Sequence, residues 1–167
     1  LDTSGKLTTN FKKKKIALFS FLTGKSKKNW SEINCFDVGK TLGEFHTVNK
    51  SFKDKISNEF GLVFWKEIFK KMDRFKLDSI IPGIHKLLKK ELEILSHSWP
   101  KNLPKGIIHA DLFPDNVFFK ERKISGILDF YFSCHDFLIY DLAITINAWC
   151  FKKGKFNQLF FNQIIKG

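Results

Sequence analysis

The sequence predicts an α+β fold in which helices surround a short β-hairpin, and three observations support this. The first is a stripe of apolar residues at helical spacing over residues 84–95, with lysines on the opposite face. The second is a set of three short apolar segments within residues 107–128, separated by polar and turn-forming residues. The third is a further apolar helical face from about Tyr140 to Phe151. A chain of 167 residues is long enough for one domain with a real core.

The N-terminal part contributes one predicted strand and one well-marked helix. Residues 16–22 (IALFSFL) are a short apolar run, which predicts a buried strand, and the polar TGKSKKN after them predicts a loop. Ser31 is a plausible N-cap for a helix that ends near His46. Apolar residues recur at helical spacing within that helix: Cys35, Val38, Leu42 and Phe45. Residues 50–76 are mixed in pattern and predict separate helical pieces.

The C-terminal part predicts a long helix, three strands and a final helix. The segment SWPKNLPKG ends the helix that carries the 84–95 stripe. Strands are predicted at residues 107–108, 117–119 and 124–128, with KERK as the turn between the last two. The final helix runs from about Tyr140 to Phe151. Asp141 lies in its first turn, where a negative charge suits the helix dipole.

The net charge of +12 argues less for a nucleic-acid partner than its size suggests. The positive residues are nearly all lysine, and the only arginines are Arg74 and Arg122. Contacts that read bases or grip phosphates with two hydrogen bonds favour arginine. A solvated lysine-rich surface is therefore the preferred interpretation, and we expect no nucleic-acid partner.

Membrane insertion and a disulfide framework are also disfavoured. No apolar run reaches the eighteen or so residues that a membrane helix needs. The three cysteines, Cys35, Cys134 and Cys150, are odd in number and lack C-x-x-C spacing. We therefore expect free thiols, a cytoplasmic protein and no membrane partner.

The segment HADLFPDN, residues 109–116, carries the strongest chemical signal. It places Asp111 and Asn116 at the spacing of the protein-kinase catalytic loop, where the Asp is the catalytic base and the Asn binds magnesium. Phosphoryl transfer to an alcohol needs a carboxylate at the hydroxyl and hard oxygen ligands on Mg²⁺. Asp129, at the end of ISGILDF, would return along the hairpin as the second metal ligand. The alternative is that Asp111, Asp115 and Asp129 merely cap turns.

Four nearby residues have less certain roles. His109 is interpreted as a structural residue that holds the loop rather than as a general base. Asp141 either bonds to the loop or only caps its helix, and Asp115 stays unassigned. Asp136 could line an acceptor pocket or lie on the surface.

The TGKS segment resembles the end of a P-loop but has Phe19 where that motif needs its first glycine, so a strand and turn are favoured there.

Three segments together resemble the aminoglycoside phosphotransferase/choline kinase superfamily of small-molecule kinases: HADLFPDNVFF, ISGILDF and YDLAI. Tyr131 stands where protein kinases have glycine, which fits the small-molecule branch. Longer stretches resemble the bacterial homoserine kinases of this superfamily: LPKGIIHADLFPDNVFF, SGILDFYFSCHD and YDLAITINAWCF. ALFSFLTGKS is similar to their strand and hinge between lobes.

The resemblance implies a protein-kinase-like fold that uses ATP and Mg²⁺ to phosphorylate the hydroxyl of L-homoserine in threonine biosynthesis. It implies that residues 1–23 are the edge of the N-terminal lobe plus the hinge. Residues 24–167 would be the helical C-terminal catalytic lobe, incomplete at its C-terminus. With the N-terminal lobe largely missing, the isolated chain is expected to be inactive.

The resemblance also assigns roles to residues. Asp111 is the expected base, and Asn116 and Asp129 are the expected Mg²⁺ ligands. The backbone of the hinge is expected to meet adenine at Ser20, Phe21 and Leu22. The residues expected at the acceptor are Asp111, Tyr131 and Asp136.

Three rival functions stay open at this point. The same fold could act on another alcohol, such as choline, methylthioribose or an aminoglycoside. The chain could be a basic nucleic-acid-binding module, which would leave the aspartate spacing unexplained. It could also be a catalytically inactive scaffold, although the base and metal positions are intact.

Overall fold

The computed structural model describes residues 5–53 and 56–167, and this part of the chain contains six α-helices. Residues 1–4 of the expected N-terminal segment, and residues 54 and 55 of the mixed stretch, lie outside the described residues. The helices are α1 (Glu32–Val48), α2 (Leu62–Lys71), α3 (Arg74–Ile80), α4 (Ile84–Ser98), α5 (Leu138–Trp149) and α6 (Gln158–Lys166). Among the described residues, none of these helices combines the length and apolar character needed to cross a bilayer.

Eight short strands form four antiparallel pairs in the same described ranges. They are β1 (Thr9–Phe11), β2 (Lys14–Ile16), β3 (Lys105–Ile108), β4 (Val117–Lys120), β5 (Lys123–Ile127), β6 (Cys134–Phe137), β7 (Phe151–Lys152) and β8 (Lys155–Phe156). The pairs are β1–β2, β3–β6, β4–β5 and β7–β8. The α+β prediction is therefore confirmed, with a helical body that carries small sheets.

Helix α1 is the central packing element, and its prediction is confirmed from the N-cap onward. Ser31 precedes the first turn, and its backbone N–H donates to Asn34 Oδ1 at 3.2 Å. The apolar stripe of α1 is buried against α6, α5 and the β4–β5 hairpin. The buried core residues are Cys35, Val38, Leu42, Leu112, Val117, Phe119, Trp149, Cys150, Phe160 and Ile164.

The predicted hairpin is confirmed in its strands, its turn and its position. Strand β4 pairs with β5 from Val117 opposite Ile127 to Lys120 opposite Lys123, so the turn falls within KERK. Glu121 takes the left-handed conformation that such a tight turn requires (φ 58°). Val117 and Phe119 point into the core because alternate residues of a strand face the same side.

The buried strand predicted for residues 16–22 is wrong. Only Ile16 belongs to a strand, at the end of the exposed β1–β2 hairpin, and residues 17–22 have no regular structure. A strand needs a hydrogen-bonded neighbour, and the described residues supply none beside this segment. Leu18, Phe19 and Phe21 are largely exposed as a consequence.

Several elements were not anticipated, among them the β1–β2 and β7–β8 hairpins, strand β6 and helix α6. Strand β6 begins five residues after Asp129, beyond a 3₁₀ turn, and pairs with β3, which ties the start of the polar loop to the segment after the hairpin. Helix α6 packs its buried Phe160 and Ile164 on α1. The remaining helix predictions hold, since the mixed stretch contains α2 and the start of α3, the 84–95 stripe lies in α4, and α5 begins two residues before Tyr140.

Candidate active site

Residues 109–116, called the octet loop below, connect β3 to β4 through a tight turn. The Phe113 N–H donates to the Asp111 carbonyl at 2.7 Å, and the Asn116 N–H donates to the Phe113 carbonyl at 3.0 Å. Pro114 begins a single 3₁₀ turn that ends at Asn116. A proline suits that position because its fixed φ matches the turn and its missing N–H is not needed there. The turn folds Asn116 back toward Asp111.

Asp111 and Asn116 are joined directly by a side-chain hydrogen bond. Asn116 Nδ2 donates to Asp111 Oδ2 at 2.9 Å and to the Asp111 carbonyl at 2.8 Å. Both amide protons of Asn116 therefore face Asp111, which leaves Oδ1 as an acceptor on the other side. Burial raises the pKa of the Asp111 carboxyl, and the hydrogen bond from Asn116 lowers it in part.

Asp129 is carried to the octet loop by the hairpin. The Leu128 N–H donates to the Asn116 carbonyl at 2.9 Å, so the next residue, Asp129, lies beside Asn116. Asp129 takes a left-handed conformation (φ 62°, ψ 68°), which is uncommon for a non-glycine residue and is often found at functional sites. Its carboxylate is exposed. The expected juxtaposition of Asp111, Asn116 and Asp129 is thus present in the fold.

The side-chain oxygens of Asn116 and Asp129 are of the type that binds a hard divalent cation. A carboxylate and an amide oxygen are ligand types that Mg²⁺ prefers, with waters or phosphate oxygens filling the other positions. No group of three or more His, Cys, Asp or Glu side chains suited to hold a metal occurs in the described ranges 5–53 and 56–167. A cation here would therefore depend on Asn116, Asp129 and the oxygens of a bound ligand.

His109 is fully buried and holds the loop from within. Its Nε2 lies 2.9 Å from the Leu128 carbonyl, and its Nδ1 lies 3.2 Å from the backbone nitrogen of Asp111. An imidazole with its proton on Nε2 satisfies both contacts, because a carbonyl needs a donor and an N–H needs an acceptor. The ring packs on Phe130 at 4.8 Å between centroids. With both nitrogens engaged, His109 has the contacts expected of a structural residue.

Asp141 reaches the octet loop from the first turn of α5. Its side chain is fully buried, and its two carboxylate oxygens accept hydrogen bonds from the backbone N–H groups of His109 (2.9 Å) and Ala110 (2.8 Å). Ala110 is left-handed, with φ 62°. Of the two interpretations of Asp141, the structure has the one in which it bonds to the loop.

Two residues at this site were not identified from the sequence. His46 Nε2 lies 2.8 Å from Asp141 Oδ2, and Trp149 Nε1 donates to the buried Leu112 carbonyl at 2.7 Å. A signal for His46 was present, because it lies four residues after Leu42 on the apolar stripe of α1. A polar side chain on a buried helix face needs a buried partner.

A cleft of about 760 Å³ opens beside Asp129, and the residues expected at the hinge form part of its lining. Its lining residues include Ser20, Phe21, Leu22, Asp129 and Tyr131. A cleft of this volume matches the usual size of sites for nucleotide-sized ligands. The wall is mainly apolar, which suits a flat aromatic ring. The cleft thus brings Asp129, one of the two expected metal ligands, into the same lining as the residues expected at the hinge.

The TGKS segment, which follows the residues expected at the hinge, is held against the β4–β5 hairpin by close backbone packing. Lys25 forms a two-bond bridge with Phe119, with N–O distances of 3.0 Å and 2.9 Å. Gly24, with φ +133°, approaches so closely that an added Cβ would lie 2.8 Å from the Phe119 carbonyl oxygen. Glycine is needed here for both reasons. The TGKS segment is thus a packing turn and not a phosphate loop.

The two further residues expected at the acceptor are not brought together. Tyr131 is 93% exposed and lines the cleft with the hinge residues. Asp136 lies on β6 opposite Gly106, and its carboxylate accepts from Asn58 Nδ2 at 2.7 Å and from the Phe137 N–H at 2.8 Å. His109 lies three positions after Gly106, which is about 10 Å along a strand. Asp136 therefore lies apart from Asp111.

Comparison with known proteins decides the family. A family profile described as "Phosphotransferase enzyme family" matches residues 4–160. The chain belongs to this phosphotransferase family. The match includes the octet loop, the hairpin and α5, and so covers every residue of the site described above.

Solved structures confirm the expected protein-kinase-like fold. An amicoumacin kinase aligns over 99% of this chain and 53% of its own, with a TM-score of 0.68 and 14% identity. Choline kinase from Cryptosporidium parvum aligns over 93% of this chain and 54% of its own, with a TM-score of 0.60 and 16% identity. At identities this low, the structural similarity shows a shared fold and nothing further.

Curated relatives are closer in sequence and carry one name. "Homoserine kinase" of Rhizobium etli strain CIAT 652 is 43% identical over 142 residues, which are 84% of this chain and 44% of that protein. "Homoserine kinase" of Parvibaculum lavamentivorans is 41% identical over 157 residues, which are 93% of this chain and 49% of that protein. The chain therefore spans about half the length of the curated relatives it matches.

Proposed function

We propose that this phosphotransferase-family chain contributes the catalytic lobe of a homoserine kinase, which transfers the γ-phosphoryl group of ATP to the hydroxyl of L-homoserine. The observation that carries the proposal is the Asp111–Asn116 hydrogen bond with Asp129 beside it, in a chain about 40% identical to proteins named homoserine kinase. That arrangement supplies a base and two hard oxygen ligands in one place.

Asp111 is proposed to act on the acceptor alcohol. The homoserine oxygen forms a bond to the γ-phosphorus, the bond from that phosphorus to the β–γ bridging oxygen breaks, and ADP leaves. The hydroxyl proton passes to the Asp111 carboxylate. Asn116 holds that carboxylate in place with a donated hydrogen bond. In phosphoryl transfer, the rate enhancement comes mainly from positioning and from electrostatic stabilisation.

Asn116 Oδ1 and the Asp129 carboxylate are proposed to hold Mg²⁺. A bound Mg²⁺ would neutralise charge on the phosphate oxygens. The adenine of ATP is proposed to lie in the 760 Å³ cleft, against the backbone of Ser20, Phe21 and Leu22. The exposed apolar side chains of that segment are then covered by the nucleotide.

The division of the chain is proposed as well. Residues 1–23 would form the edge of a small lobe with the hinge, and residues 24–167 most of the large lobe. Kinases of this kind cover the phosphates with a loop of the small lobe. We therefore propose that activity needs the complete gene product, and that residues 1–167 alone release no ADP in response to homoserine. We also propose a cytoplasmic enzyme without nucleic-acid or membrane partners.

Replacing Asp111 tests the proposal. Asp111→Ala in the complete gene product should lower kcat by about 10²- to 10⁴-fold, the range expected for loss of a general base. Nucleotide affinity should stay near the wild-type value, because Asp111 is not part of the cleft lining. The measurement is a coupled ADP assay with L-homoserine, together with titration of a fluorescent ATP analogue.

A matched control and an acceptor panel complete this test. Asp115→Ala changes the same residue type in the same loop and should retain fold and nucleotide binding, which shows that any loss at Asp111 is specific. Near-wild-type turnover of Asp111→Ala would sink the proposed role. Choline, methylthioribose and kanamycin should each be poorer acceptors than L-homoserine, and a preference for any of them would replace the substrate assignment.

A further inference from the structure

We propose that His46 is a positioning residue, which fixes the Asp141 carboxylate so that it holds the octet loop in its catalytic shape. The inference rests on the proposed function for its kinetic consequence, although the contact itself is independent of it. His46 lies near the end of α1, 95 residues before Asp141 in the sequence. Its Nε2 is 2.8 Å from Asp141 Oδ2.

The Asp141 carboxylate has a defined orientation because three donors converge on it. The His109 N–H and the His46 ring both meet Oδ2, and the Ala110 N–H meets Oδ1. Asp141 is fully buried and His46 is only 12% exposed. A buried carboxylate must be satisfied by protein donors, since water cannot replace them. Without His46, only the two backbone donors would hold it.

The backbone that Asp141 grips is held in an uncommon conformation. Ala110 has φ 62°, which is unfavourable for a residue with a Cβ and persists only when its surroundings enforce it. Asp111 follows directly, so a change at Ala110 rotates the proposed base. A correctly rotated carboxylate at Asp141 is therefore a condition for the position of Asp111.

The end of α1 contacts the same region a second time through Phe45. The Phe45 ring packs 6.3 Å from the His109 ring and 5.9 Å from the Phe130 ring, measured between centroids. Phe130 follows Asp129. The last turn of α1 thus packs on the octet loop at His109 and on the segment after Asp129 at Phe130. His46 supplies the polar contact of this turn.

Two amide variants separate this role from simple packing. His46→Gln can place an amide nitrogen near the position of Nε2, whereas His46→Asn carries the same amide on a shorter side chain that does not reach Asp141. His97→Asn is the control, because His97 is an exposed residue of α4. All variants are made in the complete gene product, and folding is checked by circular dichroism and urea unfolding.

Kinetics and amide exchange are then measured together. For His46→Asn, we expect kcat to fall on the order of 10- to 100-fold, which is the size of effect that a misplaced reacting group produces. The KM for ATP should change little. Exchange of the His109 and Ala110 backbone amides with deuterium should accelerate relative to amides of α4. His46→Gln should restore both values to near wild type, and His97→Asn should alter neither.

Each outcome decides the proposal. It is overturned if His46→Asn keeps wild-type kcat and amide protection, if it fails to fold, or if His46→Gln is as impaired as His46→Asn. If the wild-type protein shows no homoserine-dependent activity, the proposed function fails by itself. The exchange of the two amides then still accepts or rejects His46 as the residue that orients Asp141.

Discussion

Asp111 and Asn116 illustrate how one side-chain contact sets several properties of a site. The Asn116 amide donates to the carboxylate and favours its ionised form, and its own oxygen is left without a contact to Asp111. Burial acts in the opposite direction and raises the pKa of Asp111 above its ordinary value. A proton acceptor with a raised pKa is a better base, provided that it is still ionised at the working pH.

Two substitutions should move the pKa of Asp111 in opposite directions. Asn116→Ala removes a donor to the carboxylate, so the pKa should rise further. Asp129→Asn removes a neighbouring negative charge, which at present raises the pKa, so the value should fall. The measurement is a ¹³C NMR titration of the Asp111 carboxyl carbon, which needs neither metal nor substrate. Shifts of the same sign for both variants would contradict this account.

Helix α1 shows how an element gains its position from glycine as well as from its apolar stripe. Gly39 faces α6 so closely that an added Cβ would collide with the backbone of Ile164. Gly43, one turn later, has open space around the same position. The close approach seats α1 against α6, and α1 then presents Phe45 and His46 to the octet loop.

These two glycines make a matched pair for a stability measurement. Gly39→Ala should lower the free energy of unfolding by about 1–3 kcal/mol, because backbone atoms of α6 cannot move aside cheaply. Gly43→Ala should raise it by roughly 0.5–1 kcal/mol, since alanine loses less backbone entropy in a helix. Urea unfolding followed by circular dichroism gives both values. Equal effects of the two substitutions would show that the α1–α6 approach is looser than described.

At the scale of the whole molecule, the three cysteines report on the integrity of the core. None is in a disulfide and all are buried, on α1, on β6 and after α5. Burial raises the pKa of Cys35 to about 12 and that of Cys134 and Cys150 to about 11. Thiolate is the reactive form, so these groups are inert in the folded state near neutral pH.

A thiol titration tests the core as a unit. At pH 8 the folded protein should react with Ellman's reagent at well under a tenth of the rate seen in guanidinium, where all three thiols react. The pKa values of the thiols in the folded protein lie above those in the unfolded chain. The buried, protonated thiols therefore contribute to the free energy of unfolding in full below about pH 9. This contribution is lost as the pH rises toward about 11. Rapid reaction of one thiol in the folded state would show that part of the core opens.

The sequence alone determined the features that depend on neighbours in the chain. Helical periodicity located α1, α4 and α5, and turn residues located the β4–β5 hairpin, because those patterns are written in local spacing. The octet loop was also identified from spacing, because Asp111 and Asn116 lie five residues apart, as in the protein-kinase catalytic loop. The +12 charge, by contrast, bore on partners and not on fold.

Only the tertiary structure decided what depends on contacts between distant segments. The run 16–22 has the composition of a strand, yet only Ile16 pairs with another strand, and residues 17–22 have none beside them in the described residues and stay irregular. The pairing of β3 with β6 also joins segments far apart in the chain. His46 and Asp141 are 95 residues apart, so no local pattern could pair them. Hydrogen bonds and burial are properties of the folded chain, which is why these contacts became visible only in three dimensions.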